Sequence, residues 1–146
     1  MDETAAPNKP SLPLGTGETL MVVDEDRKQL LRHEEMLAAL GYEPVGFADT
    51  AAALAACRAN PVRFDAMLVC HLTPPAGVME LVATIRQIVP SLPILRAMAS
   101  LDSLNADGLL AAGISEIVHM PLISGEIAEA LARCLEVARR RSPLLA

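Results

Sequence analysis

The sequence has few aromatic residues and no tryptophan: aromatic residues make up 2% of the chain, with one tyrosine and two phenylalanines. Hydrophobic residues nevertheless account for 52% of its 146 residues. A core must therefore be built from leucine, valine, isoleucine, alanine and methionine. This length suits one domain with tails rather than two domains.

An excess of positive charge is also missing, since the net charge is −6 and the pI about 5.0. Nucleic-acid binding needs a positive footprint, so this balance argues against a DNA or RNA partner. The one basic run, residues 139–141, falls at the end of a predicted helix. Cations at that position complement the helix dipole, which is a sufficient reason for them.

Paired cysteines and long apolar runs are absent from the sequence. Cys57, Cys70 and Cys134 form no CxxC motif and no His-x-x-His spacing accompanies them, so we expect neither a disulfide scaffold nor a structural zinc site. No run approaches transmembrane length, and the acidic, proline-rich N-terminus does not resemble a secretory signal. We therefore expect a cytoplasmic domain without membrane contact.

The chain contains a strand–helix unit repeated five times. Residues 1–18 are rich in proline and glycine and predict a flexible linker, residues 19–141 a domain, and residues 142–146 a tail. Amphipathic segments separate short apolar runs, which predict strands at 19–23, 44–47, 65–70, 92–97 and 114–119. This alternation predicts an α/β fold of the flavodoxin-like type. Its five-stranded parallel sheet would have the order 2-1-3-4-5, with helices on both faces.

Helix boundaries carry capping signals. Asp26 is placed to cap the first helix, with Gln29 in the capping-box position, and Gly41 is suited to end that helix. Asp49 or Thr50 is placed to cap the second helix, which runs to about residue 59. The third helix is predicted from an apolar stripe over residues 78–89, the fourth at residues 104–112, and the last from an apolar stripe over residues 127–138.

Ligands and chemistry in such sheets lie at the carboxyl ends of the strands. In this sequence those ends carry the acidic pair Asp24 and Glu25, then Cys70, Met98 and Met120.

Several segments, in the same order along the chain, resemble response-regulator receiver domains. They are residues 20–26, 37–45, 64–70, 92–94, 111–114 and 120–122, together with Pro74. Residues 14–24, 36–47 and 127–133 further resemble the C-terminal receiver of VirA-like hybrid sensor histidine kinases. That resemblance implies a fragment of a longer kinase, with Met1 introduced.

The resemblance implies specific roles for the strand-end residues. In active receivers an acidic pair and an aspartate after the third strand bind Mg²⁺, and this aspartate accepts the phosphoryl group. Here Asp24 and Glu25 match the acidic pair, whereas Cys70 occupies the acceptor position. Met98 stands at the threonine or serine position and Met120 at the lysine position, followed by the expected Pro121. Ile117 occupies the position of the switch aromatic.

These replacements remove most of the phosphoryl-transfer chemistry. Mg²⁺ prefers hard oxygen ligands, and methionine offers no positive charge to phosphoryl oxygens. We therefore expect no catalysis, no cofactor and no phosphorylation of Cys70, and at most weak Mg²⁺ binding at Asp24 and Glu25. Capping of the loop before the first helix is the favoured role of that pair. The three sulfur-containing side chains are expected to fill the former acceptor pocket together.

Other interpretations of Cys70 are open. Cys70 beside His71 suggests a hydrolase pair, but neighbouring strand residues point to opposite faces. Cys70, Met98 and Met120 suggest a Cu(I) site, and Cys70 alone suggests a redox sensor. An unusual phosphoacceptor ranks lowest.

The predicted function is that of a degenerate receiver, a protein-interaction module in phosphorelay signalling. The expected partner is a histidine kinase core, and a homodimer through the fourth helix, fifth strand and fifth helix is a further expectation from the resemblance. The alternative is a flavodoxin-like module that senses a ligand or redox state through the Cys70 pocket.

Overall fold

The computed structural model describes residues 12–74, 76–99 and 106–141. The strands are β1 (Thr19–Val23), β2 (Glu43–Phe47), β3 (Ala66–Val69), β4 (Ile94–Met98) and β5 (Glu116–His119). The helices are α1 (Arg27–Ala39), α2 (Thr50–Ala59), α3 (Gly77–Ile88), α4 (Ala106–Ala111) and α5 (Ser124–Arg141). The strands form one parallel sheet in the order β2-β1-β3-β4-β5, which confirms the predicted fold class and strand order.

Local signals account for the helix boundaries. The Asp26 side chain accepts hydrogen bonds from the backbone N–H groups of Lys28 and Gln29 at 3.1 and 3.2 Å, so it caps α1. After α1, Gly41 adopts a φ of +96°, a conformation that glycine reaches without steric cost. Asp49 rather than Thr50 caps α2, with the Ala52 N–H donating at 2.7 Å.

Two apolar clusters cover the two faces of the sheet. Strand residues alternate between them, so Leu20 and Val22 pack in the cluster that includes α1 and α5 residues. Met21 and Val23 pack in the cluster that includes α2 and α3 residues. Burial on both faces explains why the strands read as continuous apolar runs rather than alternating ones.

Several predicted boundaries differ from the structure. Strand β4 begins two residues later than predicted and ends at Met98, and β5 also begins two residues later than predicted, at Glu116. The predicted α4 start at residue 104 lies outside the described residues, as do residues 1–11 and the predicted tail 142–146. The first and last residues of a strand or helix depend on which backbone groups form hydrogen bonds. The pattern of apolar residues does not specify these bonds.

Part of the predicted linker lies against the domain. The Gly15 N–H donates to the Leu40 carbonyl at 2.8 Å, and the Gly17 N–H donates to the Gly41 carbonyl at 2.8 Å. Glu18 forms an ion pair with Arg139 of α5 at 3.0 Å. In the described part of the chain, no helix is long and apolar enough to cross a membrane.

Candidate functional site

The strand ends meet at one edge of the sheet, where Cys70 and Asp24 are both buried. Cys70 directly follows β3, and its N–H donates to the Val23 carbonyl at 2.8 Å. Asp24 directly follows β1, and its N–H donates to the Phe47 carbonyl at 3.1 Å. The side chains are 1% and 0% exposed, respectively. Parallel pairing thus brings residues 46 positions apart to one location, as the sequence predicts.

The environment of Cys70 favours a neutral thiol. Burial raises the pKa of Cys70, the negative charge of Asp24 raises that pKa further, and Arg96 opposes the shift. Arg96 is itself buried on β4, and its guanidinium donates to the carbonyls of Cys70 and Val69. Because a thiolate is the reactive form of cysteine, this environment makes Cys70 a poor nucleophile.

The acidic pair is divided in the structure. The Asp24 Oδ1 atom accepts from the Asp26 N–H at 2.8 Å, which places this carboxylate in the loop before α1. Glu25 is exposed, and its carboxylate accepts from the N–H and hydroxyl of Thr73. The two carboxylates therefore have separate partners rather than a shared orientation toward Cys70.

The two methionines, Met98 and Met120, pack on opposite faces of the sheet. Cys70 and Met120 line a cavity of about 160 Å³ that Thr73 and Arg96 also border. Met98 instead packs against the cluster that includes α2 and α3 residues, as does Ile117. The expectation that Met98 shares the pocket of Cys70 needs correction, because alternation along β4 places it on the other face of the sheet. A Cu(I) site built from all three sulfur atoms therefore has no geometric support.

The remaining predicted residues lie outside this cavity or on its rim. Pro121 is exposed and follows Met120 at the start of the loop before α5. His71 borders the cavity but is exposed, whereas Cys70 is buried. This placement gives no support to a hydrolase pair of Cys70 and His71.

The site contains a residue that the sequence analysis missed, His33 of α1. His33 is 3% exposed, and its Nδ1 atom lies 3.4 Å from Asp24 Oδ2. The signal was present in the sequence, because His33 lies at helical spacing from the apolar residues Leu30 and Leu37. A polar residue on the buried face of a helix needs a partner, and the Asp24 carboxylate lies beside His33 without forming a hydrogen bond to its Nδ1 atom.

The sheet order and the five alternating helices match the fold of response-regulator receiver domains. A receiver domain from Clostridium thermocellum superposes with a TM-score of 0.77 at 19% identity, over 88% of this chain and 99% of that one. A CheY-like receiver domain from Methanospirillum hungatei gives a TM-score of 0.76 at 19% identity, over 86% and 99% of the two chains.

A protein assigned as a response regulator from Chloroflexus aurantiacus gives 26% identity and a TM-score of 0.73. That match covers 82% of this chain and 98% of the other. No family model matches the sequence. The chain therefore has the receiver fold of two-component signalling. Sequence identities this low show the fold, whereas the chemistry of this chain depends on its own residues.

Proposed function

We propose that this chain is a degenerate receiver domain that acts through protein contacts rather than through phosphorylation. The observation that supports this most directly is the buried thiol of Cys70 at the end of β3. An acceptor at this position needs an exposed, charged oxygen and a nearby Mg²⁺. Cys70 supplies neither the oxygen nor the charge.

The surroundings of Cys70 support the same proposal. Met120, which lines the cavity beside Cys70, carries no charge to stabilise a phosphoryl group. Glu25 is held by Thr73 through two hydrogen bonds. Among the described residues, an incoming Mg²⁺ would therefore meet one buried carboxylate, Asp24, rather than the three oxygen ligands of an active site.

The first experiment measures phosphorylation directly. The purified chain is incubated with Mg²⁺ and a small phosphodonor, beside an aspartate-containing receiver as a positive control, and intact masses are recorded. We expect a phospho-adduct on the control protein alone. A stoichiometric adduct on this chain would overturn the proposed function.

The proposed partner is the core of a sensor histidine kinase, in phosphorelay signalling. The proposed contact surface comprises the exposed sides of α4, β5 and α5, where Leu110 and Val137 are exposed apolar residues. The same surface is the proposed contact in a homodimer. A fold preserved around a disabled acceptor position is consistent with a function carried by its surface.

The second experiment separates surface from pocket in a kinase that contains this chain. Autophosphorylation rates are compared for the full-length protein, a deletion of residues 18–146, and the variant Cys70→Ala. We expect the deletion to change the rate and the point variant to change it much less. If a folded Cys70→Ala variant reproduces the deletion, the ligand- or redox-sensing alternative replaces this proposal.

A further inference from the structure

Three buried side chains with metal-binding atoms converge at the edge of the sheet where β1 and β3 end. They are Asp24, His33 and Cys70, which are 0%, 3% and 1% exposed. One oxygen, one nitrogen and one sulfur atom from these residues all lie within 4.8 Å of one another. The residues come from three different segments, so the fold itself creates this cluster.

Two polar atoms of this cluster lack hydrogen-bond partners among the described residues. They are Asp24 Oδ2 and His33 Nδ1, both fully buried and 3.4 Å apart. A buried polar atom without a partner destabilises the folded state, because it gives up its hydrogen bonds to water without replacement. Both atoms carry lone pairs when the histidine is neutral with its proton on Nε2, and the pair then needs a shared positive partner.

We propose that Asp24, His33 and Cys70 bind a divalent transition-metal ion of the Zn²⁺ type. Zn²⁺ accepts this mixture of carboxylate oxygen, imidazole nitrogen and thiolate sulfur. Mg²⁺ prefers oxygen ligands to sulfur and nitrogen ligands. Cu(I) prefers soft ligands, so a carboxylate does not suit it. The proposal goes beyond the proposed function and does not depend on it.

The observed spacing suits tetrahedral coordination. Bonds of about 2.0 Å to oxygen and nitrogen and about 2.3 Å to sulfur place ligand atoms roughly 3.3–3.5 Å apart. The distance of 3.4 Å between Asp24 Oδ2 and His33 Nδ1 already has this value. Cys70 Sγ lies within 4.8 Å of both atoms, so an approach of about 1.3 Å or less completes the set.

Charge and access are also consistent with a bound ion. On binding, the Cys70 thiol loses its proton to solvent and the thiolate bonds to the metal. A carboxylate and a thiolate together neutralise a divalent cation, which lowers the cost of burying it. Cys70 also lines the cavity of about 160 Å³, so the sulfur side of the site borders a space large enough for water.

The experiment uses the full chain after removal of bound metal with a chelator. Co²⁺ is titrated in and the absorption spectrum recorded, because thiolate ligation gives a charge-transfer band that oxygen and nitrogen ligands alone do not. Zn²⁺ is then added as a competitor. We expect one equivalent of Co²⁺ with the thiolate band, its displacement by Zn²⁺, and no displacement by a large excess of Mg²⁺.

Variants assign the ligands. Cys70→Ser and His33→Asn should each weaken Zn²⁺ binding by at least about 100-fold, since even outer-shell changes cost 10–100-fold. The matched controls are Cys134→Ser, at another buried thiol, and His119→Asn, at an exposed imidazole; both should bind as the parent does. A double variant, Cys57→Ala with Cys134→Ala, leaves Cys70 as the only cysteine and should keep the thiolate band.

The proposal is overturned if the parent protein binds no Co²⁺ or shows no thiolate band. It is equally overturned if Cys70→Ser retains the band. Because the parent and the single-cysteine protein carry an intact Cys70 site, the tests on these two proteins do not depend on whether the site variants fold. A phospho-adduct would overturn the proposed function alone, whereas absence of metal binding would overturn this inference alone.

Discussion

Thr73 holds the carboxylate of Glu25 with two hydrogen bonds, one from its backbone N–H at 2.8 Å and one from its hydroxyl at 2.6 Å, both to Oε1. The contact joins the loop after β1 to the loop after β3. Glu25 is thereby held at the surface, and in the part of the chain that the structure describes Asp24 is the carboxylate next to Cys70. The division of the acidic pair therefore has an identifiable structural cause.

The substitution Cys70→Asp should destabilise the domain without restoring an active receiver. A second carboxylate buried beside Asp24 creates like-charge repulsion and should cost on the order of 3 kcal/mol in the free energy of unfolding. Mg²⁺ should recover part of this loss, as measured by thermal unfolding with and without the ion. Adding Thr73→Ala should increase the recovery, because it removes the hydroxyl donor and leaves Glu25 held by the backbone N–H alone.

The matched control for that experiment is Cys57→Asp, which buries a carboxylate in the other apolar cluster. It should be destabilised with no recovery in Mg²⁺. A Cys70→Asp protein as stable as the parent and indifferent to Mg²⁺ would contradict the placement of Cys70 beside Asp24.

The stability of the domain should fall at alkaline pH because of its buried thiols. Burial and the charge of Glu116 raise the pKa of Cys134 to about 12, against an ordinary thiol value of about 8.5. Between these values the unfolded chain releases the proton while the folded chain retains it, so the free energy of unfolding decreases as pH rises. Below the ordinary value both states are protonated and this group contributes no pH dependence.

Denaturant unfolding from pH 8 to 11 measures this effect in the parent and in Cys134→Ala. The free energy of unfolding should fall less steeply with pH in the variant, by on the order of 1.4 kcal/mol per pH unit. This difference in slope is expected whatever the stability of the variant at neutral pH. Equal slopes in the two proteins would show that Cys134 is accessible to solvent in the folded state.

The docking of residues 12–18 against α1 predicts that alanine destabilises the domain to different extents at two glycines. Gly17 and Gly41 both have positive φ, so alanine at either position should cost about 1–2 kcal/mol in backbone strain. A β-carbon at Gly41 would also meet the carbonyl oxygen of Gly15 at 2.5 Å, whereas one at Gly17 meets nothing within 4 Å. Gly41→Ala should therefore be clearly the more destabilising in denaturant unfolding. Equal costs would argue against the docking of Gly15.

Arg86 of α3 should contribute to stability by joining three backbone segments. Its guanidinium donates to the carbonyls of Pro90, Leu92 and Gly113 at 3.2, 2.5 and 2.6 Å. Arg86→Met keeps much of the side-chain volume but removes these donors, and should cost about 2–3 kcal/mol in the free energy of unfolding. Arg58→Met, on the exposed surface of α2, should change it by less than about 0.5 kcal/mol.

The sequence alone determined the fold and the positions at which chemistry can occur. Apolar runs such as residues 19–23 and capping residues such as Asp26 and Gly41 are local signals, and five repeats in one small domain restrict the strand order. The same pattern placed Asp24 and Cys70 at one edge of the sheet, because parallel strands end on the same side.

Only the tertiary structure decided which side chains share that edge. The pairing of Glu25 with Thr73, the orientation of Met98 away from Cys70, and the convergence of His33 on Asp24 depend on the packing of α1 and of the loops after the strands. These contacts join residues distant in sequence, and no local periodicity specifies which of several nearby polar groups will meet. Helical spacing can show that His33 is buried, whereas the group it faces is set by the position of α1 against the sheet.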